Sequence, residues 1–177
     1  MSEGGRLYIL SGPPGAGKTT VARELAARFE RSVHIENDQF FAAIRSGFVD
    51  PWLVASEGQN HVILQAAAAA AVEFALGGYV VVVDGVLIPR NVAVYEARLA
   101  GTSVRLSYAV LLPDVKTVLK RGMPRPDREV VTEAVYRQMH RRFLAEAAAG
   151  SIIDSTRLSR AQTVDAVLAL GAREATL

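Results

Sequence analysis

Eight residues constrain this chain more than any others: Gly12-Pro13-Pro14-Gly15-Ala16-Gly17-Lys18-Thr19. They fill every fixed position of G-x-x-x-x-G-K-[ST] and stand between two segments of different period. Ahead of them, residues 7–11 (LYILS) form a short apolar run that reads as a buried parallel strand. Behind them, Val21, Leu25 and Phe29 recur at i, i+4 and i+8, the apolar stripe of a helix. Glycines let the backbone curl until successive N–H groups point at one anion. The helix that follows adds its positive end and its unpaired first amides. Strand, loop and helix therefore predict a phosphate-binding loop, with Gly12 to Thr19 and the adjoining Thr20 as the contacts.

Lys18 is placed to reach the β- and γ-phosphates of a nucleotide, and the Thr19 hydroxyl to ligate Mg²⁺. The chain has no N-K-x-D sequence of the kind that selects guanine, so ATP is the expected nucleotide.

Further strands are expected at residues 32–36, 80–83, 104–112 and 152–153; Asp84-Gly85 closes the second of these and Pro113 the third. Helical segments separate them. Ser56-Glu57-Gly58-Gln59 and Ser159-Arg160-Ala161-Gln162 match the S-x-x-Q capping box, Asp114 can cap a helix over 115–121, and a helix over about 132–149 is broken at Gly150. Ala66–Val72 reads as a helix packed against something. Strands alternating with helices imply an α/β fold: a parallel sheet in three layers, covered on both faces.

At 177 residues, with no repeat and no linker, this is expected to be a single domain, 1–177. The absence of cysteine excludes disulfides and thiolate metal sites. No stretch approaches the ~18 apolar residues of a membrane span, and Met1–Arg6 is too short and polar for a signal peptide. A soluble, cytoplasmic protein is the expectation. A net charge of +2 does not point to nucleic acid. Lys116, Lys120, Arg121, Arg125, Arg128, Arg137, Arg141 and Arg142 nevertheless crowd one stretch. They read as a solvated helix face, or in part as phosphate ligands.

Ligands of such a sheet bind at the carboxyl ends of its strands. Asp38, just past the second strand, would face the γ-phosphate and could orient or deprotonate an acceptor hydroxyl. It could equally cap the helix starting at Gln39; Glu36 is the fallback carboxylate. Asp84 closes the third strand, where it could contact magnesium or simply make an Asp-Gly turn. The acceptor is expected between Asp38 and the stretch 40–63. Phe40, Phe41 and Trp52 offer walls there unless they are core, while Gln59 and Asn60 offer amides. Arg90 could receive an anionic or hydroxylated group. His61 is assigned no chemistry.

Taken together, the pattern resembles the small P-loop kinases related to nucleoside monophosphate kinases, such as gluconate kinase, chloramphenicol phosphotransferase and the zeta toxins. The resemblance implies a P-loop NTPase fold with five parallel strands in the order 2-3-1-4-5 and a short arginine-bearing lid. It implies that Asp38 is the acceptor-side base, within an acceptor region of about 38–75. The lid maps onto about 120–131, with Arg121 stacking on adenine and Arg125 meeting the transferring phosphoryl group. Arg157, after the last strand, would border adenine. Ser46-Gly47-Phe48-Val49-Asp50-Pro51-Trp52-Leu53 is similar to a gluconate-kinase segment. The stretch Asp84–Arg90, however, carries neither the gluconate-kinase acceptor sequence nor the glycine triplet of shikimate kinase. The expected activity is ATP- and Mg²⁺-dependent transfer to a small-molecule hydroxyl. The alternatives are a nucleotide-sugar or nucleic-acid 5′-hydroxyl kinase and a non-catalytic ATP-dependent switch.

Overall fold

The computed structural model describes residues 5–122 and 132–174. Five strands form one parallel sheet: β1 (Arg6–Ser11), β2 (Ser32–Glu36), β3 (Val80–Asp84), β4 (Arg105–Leu111) and β5 (Ile152–Ile153). Their order is β2-β3-β1-β4-β5, as expected. The helices are α1 (Lys18–Ala26), α2 (Asn37–Ala42), α3 (Glu57–Leu76), α4 (Pro89–Leu99), α5 (Val115–Gly122), α6 (Glu133–Glu146) and α7 (Arg160–Glu174).

The central strands β1 and β3 are buried almost end to end because both sheet faces are covered there. On one face Tyr8, Leu10, Val82, Ala109 and Leu111 meet Val21, Ala22 and Leu25 of α1 and Val164 and Val167 of α7. On the other, Leu7, Ile9, Ile35, Val81 and Val83 meet Leu64, Ala68 and Ala71 of α3 and Val92 and Tyr95 of α4. Ala67, Ala68 and Ala71 are fully buried on the face α3 turns to the sheet, while Ala66 of the same run is exposed.

Several local expectations shift. Helix α1 ends at Ala26, because its last turn tightens into the i→i+3 bonds Arg28 N–H to Leu25 O and Phe29 N–H to Ala26 O. Phe29 thus lies past the helix, stacked on Tyr8 with ring centroids 6.0 Å apart. Helix α3 begins where expected but without its capping box. A 3₁₀ turn over Val54–Ser56 brings Ser56 in with φ −85° and ψ −1°, not the extended backbone a cap needs. Its hydroxyl donates instead to Pro51 O and Leu53 O. The second box does form: Gln162 N–H donates to Ser159 Oγ at 3.2 Å and Ser159 N–H to Gln162 Oε1 at 2.9 Å. Helix α6 is shorter than 132–149, since Ala147 turns extended and starts the descent into β5.

Candidate functional site

The glycine loop bends back over the end of β1, and two of its positions show why a side chain is barred. Gly12 has φ +139°, and a Cβ there would stand 2.2 Å from the Leu111 carbonyl at the end of β4. Gly15 has φ +81°, and its Cβ would meet Val118 O of α5 at 2.5 Å. The loop is therefore clasped between β4 and α5. Gly17 precedes α1, so the chain's turn into the helix points the first amides at the loop's mouth. Lys18 Nζ donates to Pro13 O at 3.1 Å, which holds the ammonium over its own loop.

Asp84, at the end of β3, pairs in register with Leu10 of β1 and Glu36 of β2. This brings its carboxylate beneath the start of α1, where the Thr19 hydroxyl donates to Oδ1 at 3.2 Å. The opposite oxygen, Oδ2, lies 2.7 Å from Nε2 of His34. Glu36, on the same sheet face, forms an ion pair with Arg23 of α1. Asp38 is exposed in the first turn of α2. The capping residue of that helix is Glu36, so Asp38 is not its N-cap.

Beyond α1 lies a cleft of about 230 Å³ lined by Ala16, Thr20, Arg121, Ser155, Leu158 and Arg160, among others. Its two walls are tied together. The Thr156 hydroxyl donates to Asp154 Oδ1 and accepts the Asp114 N–H at 2.7 Å, while Asp114 Oδ1 caps α5 through Thr117 N–H at 2.7 Å. The Thr117 bonds hold Asp114 below the ordinary carboxyl range, and the Thr156 bonds do the same for Asp154. Arg121, expected to stack on adenine, lines this cleft together with Thr20. Arg157 is exposed and is not among the residues lining the cleft.

On the acceptor side, Phe40 packs partly against the second core and Phe41 is half-buried, but Trp52 is 59% exposed. The side-chain amide of Asn60 donates to Pro51 O and Ser56 Oγ, and that of Gln59 pairs with both backbone groups of Val49. Both amides shape the loop carrying Trp52. Arg90 is exposed in the first turn of α4. The segment before it is pinned by Ser11, whose Oγ accepts Leu87 N–H, and by Tyr108, whose hydroxyl donates to Leu87 O at 2.8 Å. Burial pushes the Tyr108 hydroxyl up to about 12, which keeps it a donor. Arg125, Arg128 and most of the expected lid lie outside the described residues.

Sequence reasoning missed His34 and Ser11. The available signal was alternation: His34 stands two residues before Glu36 in β2 and so shares its face.

A glycine loop between the central strand and its helix, with a carboxylate from the neighbouring strand against the loop threonine, defines the P-loop class of nucleotide-binding folds. Residues 7–147 match the AAA domain family, and the chain belongs to that family. Among solved structures, the tunicamycin resistance protein of Deinococcus radiodurans is 21% identical, with a TM-score of 0.69 over 93% of this chain and 94% of that one. Shikimate kinase from Acinetobacter baumannii is 22% identical, with a TM-score of 0.66 over 97% and 95%. A gluconokinase from Sinorhizobium meliloti 1021 is 16% identical, with a TM-score of 0.62 over 98% and 94%. What these proteins share with the chain is the fold. The comparison with curated proteins returned no match. Among the described residues, no helix is long and apolar enough to cross a membrane.

Proposed function

We propose that this chain transfers the γ-phosphoryl group of ATP to a hydroxyl group of a small molecule. The observation that carries this reading is the Thr19–Asp84 hydrogen bond at the mouth of the glycine loop. It sets two hard oxygen donors side by side, the kind of ligand Mg²⁺ takes when nucleotide phosphates and water complete its shell. Bound there, Mg²⁺ supplies charge neutralisation across the phosphate oxygens.

The chain's own groups do the rest. Backbone amides of Gly15 to Thr20 hold the phosphates, and Lys18 exchanges its bond to Pro13 O for the β- and γ-oxygens. The cleft beside Thr20 and Arg121 takes the base, with Arg157 at its border. Asp38 accepts the proton of the acceptor hydroxyl as that oxygen bonds to the γ-phosphorus. The bond to the β–γ bridging oxygen breaks and ADP leaves. Arg125 neutralises charge on the equatorial oxygens during transfer. Phe41, Trp52, Asn60 and Arg90 border the acceptor, Asn60 by shaping the loop that presents Trp52.

A small acceptor is favoured over a nucleic-acid end because part of the basic stretch is paired within its own helix. Arg137 bonds to Glu133 and Arg142 to Glu146, both at i,i+4, which makes a solvated face of α6.

The test is mass spectrometry of a panel incubated with ATP and Mg²⁺: sugars, nucleosides, nucleotide sugars, antibiotics including tunicamycin, and a 5′-hydroxyl oligonucleotide. A mass gain of one phosphoryl group on a small alcohol supports the proposal. Phosphorylation of the oligonucleotide alone, or of nothing despite tight ATP binding, replaces it with a nucleic-acid kinase or a switch. Lys18→Ala should abolish ATP binding and transfer while leaving the circular-dichroism spectrum unchanged; full retention of activity would remove the loop from the mechanism.

A further inference from the structure

The geometry points to His34 as a positioning residue that fixes the Asp84 carboxylate for metal–nucleotide binding. This rests on the reading that Thr19 and Asp84 flank the Mg²⁺ of an ATP complex.

His34 is the third residue of β2, opposite Val82 in the parallel register, and its side chain is 14% exposed. Strand alternation sets it on the sheet face shared by Glu36, Val82 and Asp84, under α1. Its Nε2 lies 2.7 Å from Asp84 Oδ2, and its Nδ1 is 3.9 Å from Glu36 Oε1, too far for a hydrogen bond. A carboxylate only accepts, so Nε2 carries the shared hydrogen.

Both oxygens of Asp84 are thereby assigned, Oδ2 to His34 and Oδ1 to the Thr19 hydroxyl. The final torsion of an Asp is broad and roughly two-fold, so a carboxylate held at one oxygen can swing about it. Held at both, it keeps Oδ1 toward the loop before any ligand arrives. The ring is itself walled in by Glu36, which Arg23 of α1 retains by an ion pair. Arg23 and Thr19 belong to the same helix, so α1 is linked to the strand ends at two points. Groups that orient metal ligands from behind contribute about 10–100-fold in metal affinity or activity. His34 occupies such a place, and the proposed transfer assigns it no other task.

Three variants separate positioning from packing. His34→Leu fills the space without a donor. His34→Gln carries an amide nitrogen about where Nε2 stands. His34→Asn carries one too close to the backbone to reach Asp84. ATP affinity is measured by calorimetry with Mg²⁺ and again with EDTA. The gain that Mg²⁺ brings should fall about 10–100-fold in His34→Leu and His34→Asn. It should be largely restored in His34→Gln, with metal-free ATP affinity unchanged in all three. In the metal-free wild-type chain, the Nε2–H proton should appear in NMR as a solvent-protected imidazole resonance. Should His34→Leu fail to fold, the Asn and Gln pair decides the matter. Equal magnesium gains in Asn and Gln, or a loss confined to melting temperature, would overturn the proposal. Failure of the wild-type chain to show any magnesium gain would instead overturn the reading of the loop on which it rests.

Discussion

Asp38 sits one residue inside α2, past the capping position held by Glu36, with its side chain in solvent. Its charge complements the positive end of a short helix, a contribution of about 0.3–1 kcal/mol. A role as proton acceptor is far larger. Asp38→Asn should therefore preserve ATP binding by calorimetry and shift the melting temperature little, yet cut transfer by roughly 10²–10⁴-fold. Unchanged transfer would move the acceptor chemistry to Glu36 or Asp84. The contrast with the glycine loop shows which residues declare themselves. Gly12 and Gly15 cannot be anything else where Leu111 O and Val118 O crowd them, so a fixed spacing was readable without a structure. Asn60 and Gln59 looked like substrate-binding amides because a sequence does not reveal that a carbonyl nine or ten residues away already uses them. His34 stayed silent for a related reason: its partner Asp84 is fifty residues on, brought close only by strand pairing.

Helix α5 depends at its start on Asp114, and through Thr156 on Asp154 of the loop after β5. Both carboxyls are held below their ordinary range by hydrogen bonds to the ionised form. The unfolded chain therefore binds more protons than the folded one in the acid range, and stability rises with pH there. The contribution is complete above the ordinary carboxyl value of about 4 and fades as pH falls below it. Melting temperature followed from pH 6 to pH 3 should drop for the wild-type chain and drop less for Asp154→Asn, the two curves converging at the acid end. Parallel curves would mean that the tie carries no stability. The Asp114 cap was legible because a cap is local, needing only Thr117 three residues on. The two capping boxes were equally plain in sequence, yet only Ser159 makes one. Before α3 the backbone is already turning as 3₁₀, which takes Ser56 out of the capping geometry.

At the level of the whole chain, a parallel sheet covered on both faces was legible from the apolar runs of its central strands, while the order β2-β3-β1-β4-β5 was implied by the family resemblance alone. The lid expected over about 120–131 falls mostly on residues 123–131, which lie outside the described residues. One consequence concerns translation. Strand β1 leaves the ribosome before either neighbour, because β3 begins at Val80 and β4 at Arg105. The glycine loop follows β1 at once, but its backing is the Leu111 carbonyl, and its outer wall is Val118. A nascent chain thus carries the nucleotide-binding motif for about a hundred residues of synthesis before that motif has anything to lean on. Ribosome-bound chains halted with residue 104 outside the exit tunnel should not be retained on immobilised ATP, whereas chains halted with the whole sequence outside should be. Retention of the shorter chain would show that the loop assembles by itself. The earliest-made part of the site is, on this geometry, among the last to become usable.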